Sequence, residues 1–195
     1  MEILLALGIG IGLSSVAGVR TFLPLALAAL FAALGLFEPP SSFVDVGSDG
    51  WWSVFGALAA LSVLEIVLDK VRAVERALNI AMVPVRAVSG ALLFTAALGF
   101  DLDTGSAPWL IAGATIAGAV AVAKVVLRPL AKRASAGVSV AFLSFFEDVV
   151  GLVGGAVGFF VPYLPLLLVA FLLFFYYRVR RRRGRKYRGL RILGD

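Results

Sequence analysis

The sequence predicts an all-α fold, a polytopic membrane helix bundle of about seven segments. Three observations carry that expectation. The chain of 195 residues is 61% hydrophobic and only 15% charged, whereas a soluble domain of this size carries about 25% charged residues. Its apolar residues gather in runs at 3–19, 20–37, 51–68, 80–100, 108–127, 137–161 and 164–177, near or slightly below the roughly 20 residues that cross a bilayer as a helix. The charges are segregated by sign. Connectors 38–50 and 101–107 hold Glu38, Asp45, Asp49, Asp101 and Asp103 and no base, so all eighteen bases can face the opposite side. That is the positive-inside asymmetry. Strand alternation is absent, and backbone polar groups in lipid must be satisfied within each segment, so helices are the expected solution.

Runs 3–19 and 20–37 are divided only by Arg20, with Gly18 and Pro24 beside it as helix breakers. Arg20 either caps a tight cytoplasmic bend between two spans or is held at depth where two half-helices meet. Run 51–68 opens on Trp51 and Trp52 and leads into Glu65, Asp69, Lys70, Arg72, Glu75 and Arg76. Glu65 and Asp69, four apart, share a helix face, and Asp69 could pair with Arg72 or Arg76 in the same way. Glu65 lies a turn inside the apolar run, where a carboxylate faces protein or water rather than lipid. An interfacial ion-pair network that ends the helix accounts for the group as well.

Run 80–100 contains Pro84, which breaks a helix and frees a carbonyl, and Arg86 two residues later. Run 108–127 opens near Trp109 and carries Lys124, with Arg128 four residues on. In run 137–161 the adjacent carboxylates Glu147 and Asp148 divide two apolar stretches. They serve proton coupling at depth, or they cap the start of a second helix, where acid suits the dipole. Lys124 and Arg128 are complementary to them in charge. The signs are exchanged between copies of a weak repeat of inward helix, charged bend and outward helix, and a buried cluster joining the hairpins is the economical inference. Run 164–177 starts after the turn Pro162-Tyr163-Leu164-Pro165.

Seven spans place the N-terminus outside and the C-terminus in the cytoplasm, in a bacterial inner membrane. Trp51, Trp52, Trp109 and Tyr163 then form the outer aromatic belt, and Tyr176 and Tyr177 the inner one. Residues 1–177 form a single membrane domain. Residues 178–195 form a basic tail suited to anionic lipid headgroups, and a nucleic-acid partner is not expected. Glycines 8, 12, 151, 154, 155 and 158 repeat at small-residue spacing, which serves internal packing or a homodimer equally.

Gly18-Val19-Arg20 with Phe22-Leu23-Pro24, Leu64-Glu65-Ile66 with Asp69-Lys70, Lys124 with Arg128, and Ser144-Phe-Phe-Glu147-Asp148 occur in that order. On these pieces the chain resembles a group of small bacterial integral membrane proteins known only as a domain of unknown function. The resemblance covers most of the chain. It implies the membrane class and these site residues, and it brings no activity.

The chain has no cysteine and no histidine. Thiolate chemistry and histidine-dependent hydrolysis are therefore excluded, and no metal or cofactor is expected. The expected function is a transporter or channel-like protein. Its site would draw on Arg20, Glu65, Asp69, Lys70, Arg86, Lys124, Arg128, Glu147 and Asp148, with helix breaks at Gly18, Pro24 and Pro84. Arg20 and Arg86 would hold a small anion or an anionic lipid headgroup, and a carboxyl would carry a proton. A structural or assembly protein fits the same residues. An intramembrane enzyme fits them less well, because paired catalytic aspartates and metal-binding clusters are not evident.

Overall fold

The structure is a computed structural model, and it describes residues 2–40, 47–71, 75–128 and 140–190. Among these residues the chain is helical, with no strand. Its helices are α1 (Glu2–Val19), α2 (Phe22–Ala33), α3 (Gly47–Lys70), α4 (Glu75–Ala81), α5 (Val83–Ala97), α6 (Ala107–Leu127), α7 (Val140–Gly158) and α8 (Leu164–Leu190), with a 3-10 turn at Thr104–Ser106. Seven of the eight α-helices fall on the apolar runs. The additional one is α4, a short helix that meets α5 at Met82.

Prolines explain the breaks. In a helix continued through Arg20, the ring of Pro24 would collide with the Arg20 carbonyl four residues back. The chain instead ends α1 at Val19 and restarts at Phe22, with Pro24 in the first turn of α2, where a missing N–H costs nothing. Pro84 likewise falls in the first turn of α5. At the other end, α2 and α5 stop in the same way. Gly35 and Gly99 take φ of +68° and +71°. Leu36 donates to the Phe31 carbonyl and Phe100 to that of Thr95, the doubled bonding of a Schellman cap.

α3 over 49–70 and α6 over 107–127 are long and apolar enough to cross a membrane. The apolar helices α1, α2 and α5 are shorter. The 12 residues of α2 and 15 of α5 rise roughly 18 and 22 Å, against about 30 Å of hydrocarbon.

The central element is α1, which packs against α5, α6, α7 and α8, while α3 lies at the periphery against α2. Leu13, Val16, Ala17 and Val19 of α1 are fully buried. Close approach depends on missing side chains. A Cβ on Gly90 would stand 2.3 Å from the Ala117 Cβ, and one on Gly113 would stand 2.5 Å from the Gly90 carbonyl oxygen, so α5 and α6 cross backbone to backbone. A Cβ on Gly18 would meet the Ala117 carbonyl at 2.6 Å. The glycines of the small-residue pattern face neighbours in the same chain. Gly8 and Gly12 meet residues of the 162–165 turn, Gly151 meets Arg20, Gly154 Val16, Gly155 Leu27 and Gly158 Leu13.

The two ends of the bundle differ. One carries clustered rings, with Trp109 stacked against Phe94 and Phe100, and Phe31 and Phe37 edge-on to Phe159. The other carries the α1–α2 bend and gathers the charges. Large apolar side chains, among them Ile3, Val67, Ile111, Phe145, Leu167 and Phe174, lie exposed, while Arg20, Arg86, Lys124 and Glu147 are buried. Soluble proteins distribute these residue types the other way round.

Replacing Gly90 with valine should force α5 from α6 and cost at least about 2 kcal/mol. Gly56→Ala, where an added Cβ meets nothing within 4 Å, should be neutral or stabilising by up to about 1 kcal/mol. Thermal unfolding of the detergent-solubilised full chain separates the two.

Candidate functional site

The site grows out of the break between α1 and α2, which leaves backbone groups unpaired inside the protein. Lys124 of α6 donates from Nζ to the Val19 carbonyl at 2.9 Å, placing a cation at the C-terminus of α1. Glu65 of α3 accepts from the Thr21 amide at 3.2 and 3.0 Å and from the Phe22 amide at 3.3 Å, placing an anion at the N-terminus of α2. Each charge has the sign that the adjoining helix dipole favours. Ser89 of α5 donates its hydroxyl to the Thr21 carbonyl at 2.9 Å.

Each capping charge has a counter-charge. Lys124 pairs with Glu147 at 2.8 Å, and Arg86 reaches Glu65 at 3.4 Å. Arg20 points into the centre, where its Nη2 donates to Asp69 at 3.1 Å and to the Ser144 hydroxyl at 3.2 Å, and also meets Glu147 and Asp148. Arg128 bonds both oxygens of Asp69, at 2.9 and 3.2 Å, and lies 3.3 Å from Glu147. Asn79 joins the halves, donating to Asp69 at 2.8 Å and accepting from Arg86 at 3.1 Å. Tyr176 donates its hydroxyl to Glu147.

Four buried bases, Arg20, Arg86, Lys124 and Arg128, thus meet four carboxylates, Glu65, Asp69, Glu147 and Asp148, among the described residues. Lys70, 47% exposed, pairs with Asp148 at the edge. Burial of this many charges is tolerable only because they compensate one another. The cluster still leaves donors over. Nε and Nη1 of both Arg20 and Arg86 are buried without a hydrogen-bond partner among the described residues.

All nine charged residues singled out in the sequence therefore converge. Of the two readings of Arg20, its full burial at the break between α1 and α2 fits the meeting of two half-helices and not a loop residue. Other details differ from expectation. Asp69 turns to Arg20 and Arg128; Arg72 and the side chains of Glu75 and Arg76 lie outside the described residues. Glu147 and Asp148 stand within the continuous helix α7, so they cap no helix start. Tyr176 is not part of an interfacial belt, since it is fully buried against Glu147, whereas Tyr177 is exposed. Nothing in the local sequence separates those two tyrosines. Asn79 and Ser144 carried a faint signal as polar residues on apolar helices, and the hydrogen bonds of Thr21 and Ser89 were not foreseeable.

Because Glu147 is fully buried among Lys124, Arg128 and Arg20, Glu147→Gln should cost about 3 kcal/mol by leaving bases uncompensated. Adding Lys124→Met should recover at least about 1 kcal/mol, a coupling that a double-mutant cycle of unfolding free energies measures. Tyr176→Phe should cost about 1–3 kcal/mol, the loss of a buried donor to a charged acceptor.

No curated protein and no solved structure matches the chain. A family model does, over residues 7–182, which hold every charged residue of the cluster. The chain belongs to that family, the domain of unknown function DUF4126.

Proposed function

We propose that the protein is a multi-pass carrier of the cytoplasmic membrane, N-terminus outside and basic tail inside, that moves a small anion together with a proton. The observation that supports this reading most directly is the buried, charge-matched cluster at a broken helix. Broken helices whose ends face a polar centre are a common way to build a transport site. The exposed apolar surface, the positive-inside pattern and the two long apolar helices support the membrane placement. On the tail side, Arg180 donates to the Val126 carbonyl near the end of α6, and Arg178 and Arg181 stay exposed to meet anionic headgroups.

Charge balance supports the coupling. Among the described residues four buried bases face three buried carboxylates and the partly exposed Asp148, so with all eight ionised an added anion would leave a net negative charge in a low-dielectric interior, where isolated charge is costly. A proton on one of the carboxylates restores the balance. The spare donors of Arg20 and Arg86 would receive the anion, and the reading assigns no bond-making step to the protein.

A second reading, a structural clasp, draws on the caps that Glu65 and Lys124 place on the broken helix. It expects the same stability losses on neutralisation and no flux.

The test is reconstitution into liposomes with a chloride or nitrate gradient and a pH-sensitive dye inside. The carrier reading expects protons to move in the same direction as the anion, and Arg20→Gln to reduce the rate to that of protein-free liposomes. Wild-type flux no greater than that of protein-free liposomes would leave the clasp. Orientation is read separately, because the chain has no cysteine. A cysteine at Lys70 should react with an impermeant reagent from the cytoplasmic side only, and one at Leu102 from the outside only.

A further inference from the structure

We propose that the seat now filled by the Glu65 carboxylate is the anion site itself, and that Glu65 is a built-in competitor for a small monoanion of carboxylate size. This deepens the carrier reading and rests on it. The seat is the first turn of α2. Its donors are the Thr21 amide at 3.2 and 3.0 Å, the Phe22 amide at 3.3 Å and the Thr21 hydroxyl at 3.3 Å. Amides at a helix N-terminus bind anions of any origin, because the N–H groups converge and the dipole favours negative charge. Thr21 makes no side-chain cap to its own helix. The anion that fills the place comes from another helix, 44 residues along the chain.

A second, independent observation points to a ligand. Arg86, 1% exposed, reaches Glu65 through one Nη2 contact at 3.4 Å, while its Nε and Nη1 have no hydrogen-bond partner among the described residues. A buried guanidinium ordinarily spends its planar fork on its anion. Arg20, next to Thr21 in the chain, also keeps Nε and Nη1 without a partner among the described residues. Every donor that Glu65 uses would serve an untethered oxyanion equally well.

The surrounding charges limit what can replace it. Arg86 faces Glu65 from α5 and Arg20 from the α1–α2 bend, and Asp69 stands one turn along α3. On α4, Asn79 bonds Arg86 and Asp69, and Glu147 and Asp148 of α7 are engaged by Arg20, Lys124 and Lys70. If Glu65 leaves the seat carrying a proton, one incoming monoanion restores the charge and a dianion exceeds it. The seat is largely enclosed, with Thr21 fully buried, Glu65 4% exposed and Phe22 partly buried. It therefore suits a free small anion such as chloride, nitrate or formate, and excludes a headgroup tethered to lipid tails.

The experiment is thermal melting of the full-length chain in detergent, comparing wild type with Glu65→Ala. Sodium formate, nitrate or chloride is titrated against sodium gluconate at equal ionic strength. In gluconate, Glu65→Ala should melt about 5 °C lower, having lost the cap of α2. Formate or nitrate should recover most of that loss saturably, leave wild type unmoved and fail when Arg86→Gln is added. If Glu65→Ala does not fold, Glu65→Gln is titrated with the same criterion. An anion effect no larger than that of gluconate overturns the proposal. Flux by wild type without rescue of either variant discards the seat and keeps the carrier. Saturable rescue without any flux keeps the seat and discards the carrier.

Discussion

Interrupting a helix inside an apolar body creates a problem that the surrounding structure must solve. The break at Arg20 and Thr21 leaves a carbonyl at the end of α1 and amides at the start of α2 inside the protein, where both residues are fully buried. Lys124 and Glu65 satisfy them with full charges rather than neutral groups. Those charges then demand partners of their own. Glu147 answers Lys124 and Arg86 answers Glu65, while Asp69 ties Arg20 to Arg128. One break thereby recruits charge from α3, α5, α6 and α7, and the cluster stands or falls as a unit.

The packing follows from the same centre. Helices must approach closely to bring short carboxylates and long bases within bonding distance. Glycine on α7 admits the Arg20 side chain beside Gly151, and Gly18 lets α1 lie against α6 two residues before Arg20. These contacts gain dispersion energy from close approach of the backbones. Charges inside and apolar groups outside are thus two sides of one arrangement. The tertiary fold is held by close packing and ion pairing, and large apolar side chains are left on the outer surface.

A charge-matched interior also constrains chemistry. It can hold its charges without a ligand, which a clasp requires, and it can admit an anion only with a compensating proton, which a carrier requires. The carrier reading rests on the Arg20 and Arg86 donors that have no partner among the described residues and on the carboxylate from another helix at the head of α2.

The sequence by itself determined the helical class, the apolar segments and the charged residues that meet in the cluster. Each follows from local properties: apolar run length, the ring clash that Pro24 imposes on the Arg20 carbonyl, and the rarity of charge within such runs. Complementary signs on Lys124, Arg128, Glu147 and Asp148 even foretold a pairing. Only the tertiary structure decided which carboxylate each base meets, that Tyr176 rather than Tyr177 turns inward, and that Glu65 crosses to the start of another helix. Pairing depends on how distant helices are rotated and staggered against one another. That is set by the backbone contacts at Gly18, Gly90 and Gly113, and no spacing along the chain records it.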